Sequence, residues 1–238
     1  MIENAEHFIY IENQYFISNE NALTETLFQR VCKAIREDAI FRVVVVLPIT
    51  PCGDWKLPAI KFVMKWQYDT ISRGGNSILE RIKKKFPSVN VNDYISFCCL
   101  RKVDELNGIM VTDQVYVHSK LMIVDDRRVI IGSANWNDRS MLGDRDSEIA
   151  VLVEDNRFVE SKMNGQFFLA SKFAHSLRKN LFLEHLGLPR SKRHEVQDPI
   201  CSAVYNDMIR DYASSNQHIF TSMFPLVPSD NFTSTTVC

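Results

Sequence analysis

The sequence predicts an α/β fold, on three features. Short apolar, β-branched runs recur along the chain, segments with helical spacing separate several of them, and glycine and proline punctuate the joins. The strand-like runs are Phe8–Ile11, Phe41–Leu47, Tyr94–Leu100, Val115–Val124, Val129–Ile131 and Ile149–Val153. After the first run, Ser18/Asn19 reads as a helix cap, followed by a stripe of Leu23, Leu27, Val31 and Ala34/Ile35. Pro58 suits the first turn of a second helix, with Phe62, Val63 and Trp66 inward. Gly74-Gly75 breaks it, and Ser77 restarts a short helix through Leu79, Ile82 and Phe86. A longer helix is predicted from about Gly165, with Phe168, Phe173, Leu177 and Leu181 inward, ending at Gly187-Leu188-Pro189 as a glycine cap followed by proline would. The folded domain is expected over residues 1–212. The polar, aperiodic remainder, 213–238, is expected to be a poorly ordered tail.

With 238 residues, 45% hydrophobic and 24% charged, the chain is long enough for a sizeable core. Its 28 basic residues nearly cancel 29 acidic ones. It is therefore not a strongly basic nucleic-acid binder, no nucleic-acid partner is expected, and local groups must hold any anionic substrate. Six cysteines without C-x-x-C spacing read as reduced, mostly buried thiols of a cytoplasmic protein. The longest apolar stretch, Val43–Leu47, falls far short of the ~20 residues that span a bilayer. Two dense basic patches, Lys83–Lys85 and Arg190–His194, read as solvated helix ends or as contacts for an acidic lipid surface.

The chemistry concentrates in Tyr116-Val117-His118-Ser119-Lys120-Leu121-Met122-Ile123-Val124-Asp125 and in Gly132-Ser133-Ala134-Asn135. On an extended strand, His118 and Lys120 share one face and Ser119 points the other way. An imidazole beside an ammonium suits phosphoryl transfer: the ring can attack phosphorus or protonate a leaving oxygen, while the ammonium neutralises a phosphate oxygen. A tight turn at Asp126-Arg127 would set Asn135 opposite His118 and Ser133 opposite Lys120, adding two neutral donors for phosphate. Asp125, an odd number of residues from His118 and at the far end of the strand, should tie down the turn with Arg127 or Arg128. Glu148 is placed to orient an imidazole from a neighbouring strand. Glu12, Asn13 and Gln14 follow a strand end and are candidates for the same cleft.

H-S-K-L-M-I-V-D followed by G-S-A-N-W-N-D-R-S resembles the H-x-K-x(4)-D and G-S-x-N signature of the phospholipase D superfamily. The flanks I-Y-I-E-N-Q-Y-F-I, R-G-G-N-S-I-L, Y-I-S-F-C, N-D-R-S-M-L-G-D-R-D-S-E and Q-D-P are similar to the C-terminal half of its animal phosphatidylcholine-hydrolysing members. The resemblance implies half of an α/β/α sandwich with a mixed central sheet, in which two similar halves each give one motif to a shared site. It implies a phosphohistidine route with His118 as the general acid, Lys120, Asp125 and Glu148 in the catalytic set, and Ser133 and Asn135 on the phosphate. No metal or cofactor is implied. The other five histidines lack a lysine two positions on, so a second motif must come from elsewhere. The expected partners are that half and phospholipid at a membrane surface, with a peripheral location. Two other readings stay open: a single-motif phosphodiesterase or nuclease acting as a homodimer, and a non-catalytic half-domain.

Overall fold

The two most β-branched runs form the centre of a sheet. In the computed structural model, which describes residues 1–54 and 57–223, β1 (Phe8–Glu12) and β2 (Arg42–Leu47) pair in parallel, and both are buried on both faces. Parallel strands need a crossover, and the Leu23–Arg36 helix (α1) supplies it. A second crossover runs through α2 (Pro58–Ile71) and α3 (Ile78–Lys85) to β3 (Ile95–Leu106), which is parallel to β2. The chain then turns antiparallel through β4 (Ile109–Val115), β5 (Leu121–Val124), β6 (Arg128–Gly132) and β7 (Ala150–Glu154). The strand order is β4-β3-β2-β1-β5-β6-β7.

Alternation along β1 and β2 sends Ile9, Ile11, Val43 and Val45 to one face, where Leu27, Val31 and Ile82 from α1 and α3 cover them. Phe8, Tyr10, Val44 and Val46 face the other way, against Ala174, Phe182 and Leu183 of α5 (Lys172–His185) and against Val204 and Tyr205 of a π-helical stretch, Ala203–Asp211. Each such fully buried aliphatic contributes about 1.5–3 kcal/mol. The result is the expected α/β/α arrangement with a mixed central sheet.

Several predicted boundaries move. The first helix starts at Leu23 with no side-chain cap, and Ser18 instead donates its hydroxyl to the Asn21 carbonyl. The Ser77 restart holds, as a reciprocal capping box with Glu80. Residues 165–171 are not helical. Asn164 and Gly165, both with positive φ, turn a hairpin of β8 (Phe158–Met163) and β9 (Gln166–Ser171), so the helix begins only at Lys172. The chain is helical from Tyr212 to Met223 (α6), where a poorly ordered tail is predicted, and the rest of that tail lies outside the described residues. On α2, Phe62 and Trp66 point outward, because the buried positions are Met64, Thr70 and Ile71. The cysteines are less buried than predicted: Cys32 is buried, whereas Cys52 and Cys99 are exposed. Lys83 folds back over the segment after its helix, donating to the Pro87 and Val89 carbonyls.

Candidate active site

Strand direction decides where the polar groups gather. Gln14 lies just beyond the end of β1, His118 and Lys120 just before the start of β5, Ser133 and Asn135 just after β6, and Glu148 just before β7. Because β5 runs antiparallel to β1, β6 to β5 and β7 to β6, the end of β1, the start of β5, the end of β6 and the start of β7 coincide, and all four positions fall at one end of the sheet. There Gln14, His118, Lys120, Ser133, Asn135 and Glu148 line one open cavity of roughly 650 Å³, joined by Arg139, Arg145 and Asp146.

Residues 116–120 lie outside the strand ladder, so the predicted strand from Val115 is interrupted before Leu121. The alternation of side chains survives. Lys120 Nζ donates to Gln14 Oε1 (3.0 Å) and to the His118 carbonyl (2.6 Å), while the Ser119 hydroxyl donates the other way, to Glu12 Oε2 (2.6 Å). The Lys120 ammonium is held below its ordinary pKa by desolvation, against the pull of Glu148. Gln14 donates to the Tyr116 hydroxyl (3.0 Å), and the Tyr116 ring stacks near His118 at 6.3 Å between centroids.

The predicted hairpin register is off by one. Asp125 and Asp126 both take positive φ and form the turn, closed by the Arg127 N–H on the Val124 carbonyl, so Val124 pairs with Arg128 and the Lys120 carbonyl accepts from Gly132. Asp125 is the extra loop residue that a two-residue Asp126-Arg127 turn does not allow for. Ser133 and Asn135 still reach the cavity because they follow the end of the ladder. Gly132 itself is required by crowding: a Cβ there would stand 2.4 Å from the Ile149 carbonyl oxygen and 2.6 Å from Ala150 Cβ.

Glu148 is anchored from two sides. Ser133 Oγ and Ser140 Oγ each donate to it at 2.5 Å, and these hydrogen bonds, Ser133 first and Ser140 next, hold its carboxyl below the usual range. Ser140 also accepts from the Asn135 N–H (3.1 Å), and its own N–H is fixed by Asn137 at the start of a short helix, α4 (Asp138–Met141). Asn135 Oδ1 is buried without a hydrogen-bond partner among the described residues. The set offers an imidazole, an ammonium, a carboxylate and neutral donors around one opening, which suits the handling of a phosphate diester.

Two cleft candidates and one motif residue lie elsewhere. Glu12 is buried, accepting from the Tyr10 and Ser119 hydroxyls, and Asn13 Oδ1 accepts from the N–H groups of Tyr15 and Trp136; both hold the walls of the site. Asp125 follows the far end of β5 and does not line the cavity. Its buried carboxylate accepts backbone N–H groups of Glu6 (2.8 Å), His7 (2.7 Å) and Phe8 (2.7 Å). It ties down the turn as the spacing predicts, though to backbone and not to an arginine: Arg127 reaches the Leu169 carbonyl and Arg128 pairs with Glu154.

A family model described as Phospholipase D matches residues 109–229, and one described as Cardiolipin synthase, PLD-like domain, matches residues 1–167. The chain belongs to the phospholipase D family. Its relatives include Phospholipase D zeta 2 of Arabidopsis thaliana, 46% identical over 98% of this chain and 24% of the relative. Phospholipase D1 of Homo sapiens is 42% identical over 97% of the chain and 22% of the relative. The chain thus spans about a quarter of the length of the curated relatives it matches. Among solved structures, the phospholipase D family member Nuc from Salmonella typhimurium aligns with 79% of this chain and 84% of its own at a TM-score of 0.39 and 15% identity.

Sequence reasoning missed Ser140, Tyr116, Arg139, Arg145 and Asp146. Ser140 lies within the family-like N-D-R-S-M-L-G-D-R-D-S-E run and carried a signal, being the fourth residue of an Asn-x-x-Ser helix start. Arg139 is paired with Asp146 (2.8 Å), an exposed contact that no spacing rule would single out.

Proposed function

We propose that this chain supplies one half of the active site of a phosphodiesterase that cleaves phosphatidylcholine to phosphatidate and choline at a membrane surface. The observation that carries it is the meeting of His118, Lys120, Asn135 and the Ser133–Glu148 pair around one cavity. In the reaction, a histidine of a second motif attacks phosphorus, the bond to the choline oxygen breaks, and His118 gives that oxygen its proton. Water then attacks the phosphohistidine, His118 takes the proton, and the P–N bond breaks to release phosphatidate. Lys120 neutralises a phosphate oxygen and Asn135 donates to another, while Glu148, fixed by two serines, orients the opposing imidazole. Asp125 serves stability.

One imidazole cannot stand on both sides of an in-line displacement, and these 238 residues hold one His-x-Lys. The edge strand β7 supports a place for the second motif. Val151 on it and Ile149 (76% exposed) just before it stand out beside Ile131, an apolar strip next to Glu148 that a second half would cover. Choline release is the test. This chain alone should release none, mixing it with a separately expressed first half should give turnover, and His118→Asn in this chain should abolish it. Robust release by the isolated monomer refutes the shared site, and release rising with the square of concentration assigns the second motif to another copy of the chain.

A further inference from the structure

Two apolar projections stand at the same end of the sheet as the cavity. β3 pairs with β2 only as far as Leu47↔Cys99, and from Leu100 it pairs with β4 alone, ending at Leu106↔Ile109. Since β3 runs parallel to β1 and β2, this extension of seven residues, about 23 Å at 3.3 Å each, carries the hairpin outward on the side where β1 delivers Gln14. β4 then returns into Tyr116 and His118. The turn, Asn107-Gly108 with both φ positive, is flanked by exposed Leu106, Ile109 (68%) and Met110.

The second projection is α2. The loop leading to it passes the site, where the Cys52 N–H donates to the Tyr116 hydroxyl. The helix lies along the segment after β1, with Gln67 accepting the Phe16 N–H and Thr70 accepting the Ser18 N–H. Its outer face shows Phe62 (55% exposed) and Trp66, one turn apart with ring centroids 6.2 Å from each other, after an exposed Leu57 at the cap. Lys61 and Lys65 border that pair, Lys65 bonded to Asp69.

We propose that the β3–β4 tip and the outer face of α2 form the membrane-contact face, seating the cavity on a phospholipid bilayer. Three observations favour a bilayer over a protein. The apolar residues sit on separate outward projections and not in one strip, a tryptophan and a phenylalanine bordered by lysines are the composition of helices that lie in the headgroup boundary, and the cavity opens at the same end of the sheet. The choice of a lipid surface rests on the phosphodiesterase reading, since a headgroup must reach His118 while its acyl chains stay in the membrane. The hairpin carries Asp104, Glu105 and Asp113 against Arg101 and Lys102, so contact is through apolar insertion and only weakly salt-dependent.

The test is sedimentation of the chain with phosphatidylcholine vesicles. Phe62→Ser/Trp66→Ser and Leu106→Ser/Ile109→Ser/Met110→Ser should each lower vesicle partition about tenfold or more, the loss expected when large apolar side chains leave an interface. Ile149→Ser/Val151→Ser, on the β7 edge, should leave it unchanged. In Trp55→Phe, where the remaining tryptophans are the exposed Trp66 and the buried Trp136, brominated lipid should quench the Trp66 emission. Mixed with the first half, the two face variants should lose turnover of vesicular substrate and keep that of monomeric short-chain phosphatidylcholine. A parent chain that does not bind vesicles, unchanged partition in both variants, or lost association with the first half at unchanged vesicle binding would each overturn the proposal. Should the parent mixture hydrolyse neither substrate, the phosphodiesterase reading fails while partition and quenching still decide the membrane face.

Discussion

Replacing Asp125 with asparagine separates a structural from a chemical part for the acid of the H-x-K-x(4)-D motif. Its Oδ1 takes the His7 and Phe8 N–H groups and its Oδ2 takes that of Glu6, all within 2.8 Å. Asparagine keeps one carbonyl oxygen, so two bonds lose their charge and the third is replaced by an N–H facing an N–H. Charge-assisted bonds contribute about 1.5–3 kcal/mol against about 1 for neutral ones, so the change costs about 3 kcal/mol. The backbone adds little, because asparagine tolerates the φ of 53° that Asp125 adopts. For a domain of this size each kcal/mol moves the midpoint by roughly 2–4 °C, giving a fall of roughly 6–12 °C by calorimetry. Turnover per folded molecule, measured with the first half present, should be unchanged. An unaltered melting temperature with turnover lost would refute the reasoning and return Asp125 to the chemistry.

Asp126, fully buried, is pushed up by burial, but the Arg178 guanidinium and His175 override this and hold it near 2, against an ordinary 3.8. A depressed carboxyl gives stability present above its unfolded value and lost as pH falls through its folded one, so about 2 kcal/mol should disappear between roughly pH 4 and pH 2. Asp126→Asn should flatten that limb in acid-unfolding curves. Arg178→Met should cost about 3–5 kcal/mol in urea titration, by leaving a buried carboxylate unpaired. Ser140→Ala removes one of two donors to Glu148 and should raise its pKa, so the acid limb of kcat/KM should shift to higher pH with Tm nearly constant. Gly132→Ala must force β6 and β7 apart at the Ile149 carbonyl; it should lower Tm and turnover together, and retention of both would show that the strands can spread freely.

The fold was legible wherever one signal dominated. β1 and β2 are continuous apolar runs because both faces are covered, and Ser77 with Glu80 is a complete capping box. Errors came where two signals competed. Phe168 fits a helical stripe with Phe173 and Leu177, yet Asn164-Gly165 is the strongest two-residue turn in that stretch and wins locally. Phe62 and Trp66 read as inward on hydrophobicity alone, which cannot tell a core from a surface that meets something else. The cavity residues were found despite a wrong register, because Ser133, Asn135 and Glu148 lie beyond the ladder, where hairpin pairing no longer dictates position. Ser140 and Asp146 act through loop geometry, and no periodicity records that.

The Asp125-Asp126 turn sends two adjacent carboxylates to different neighbours: one grips the backbone at the entry to β1, the other the Arg178 and His175 side chains of α5. The β5–β6 hairpin is therefore clamped at one end and carries its chemistry at the other, some four residues or about 13 Å away. A clamp at that spot works as a zero mark on a ruler. With the turn pinned to two layers at once, neither strand can slide by a residue, and a slide of one would exchange Lys120 for Ser119 at the opening.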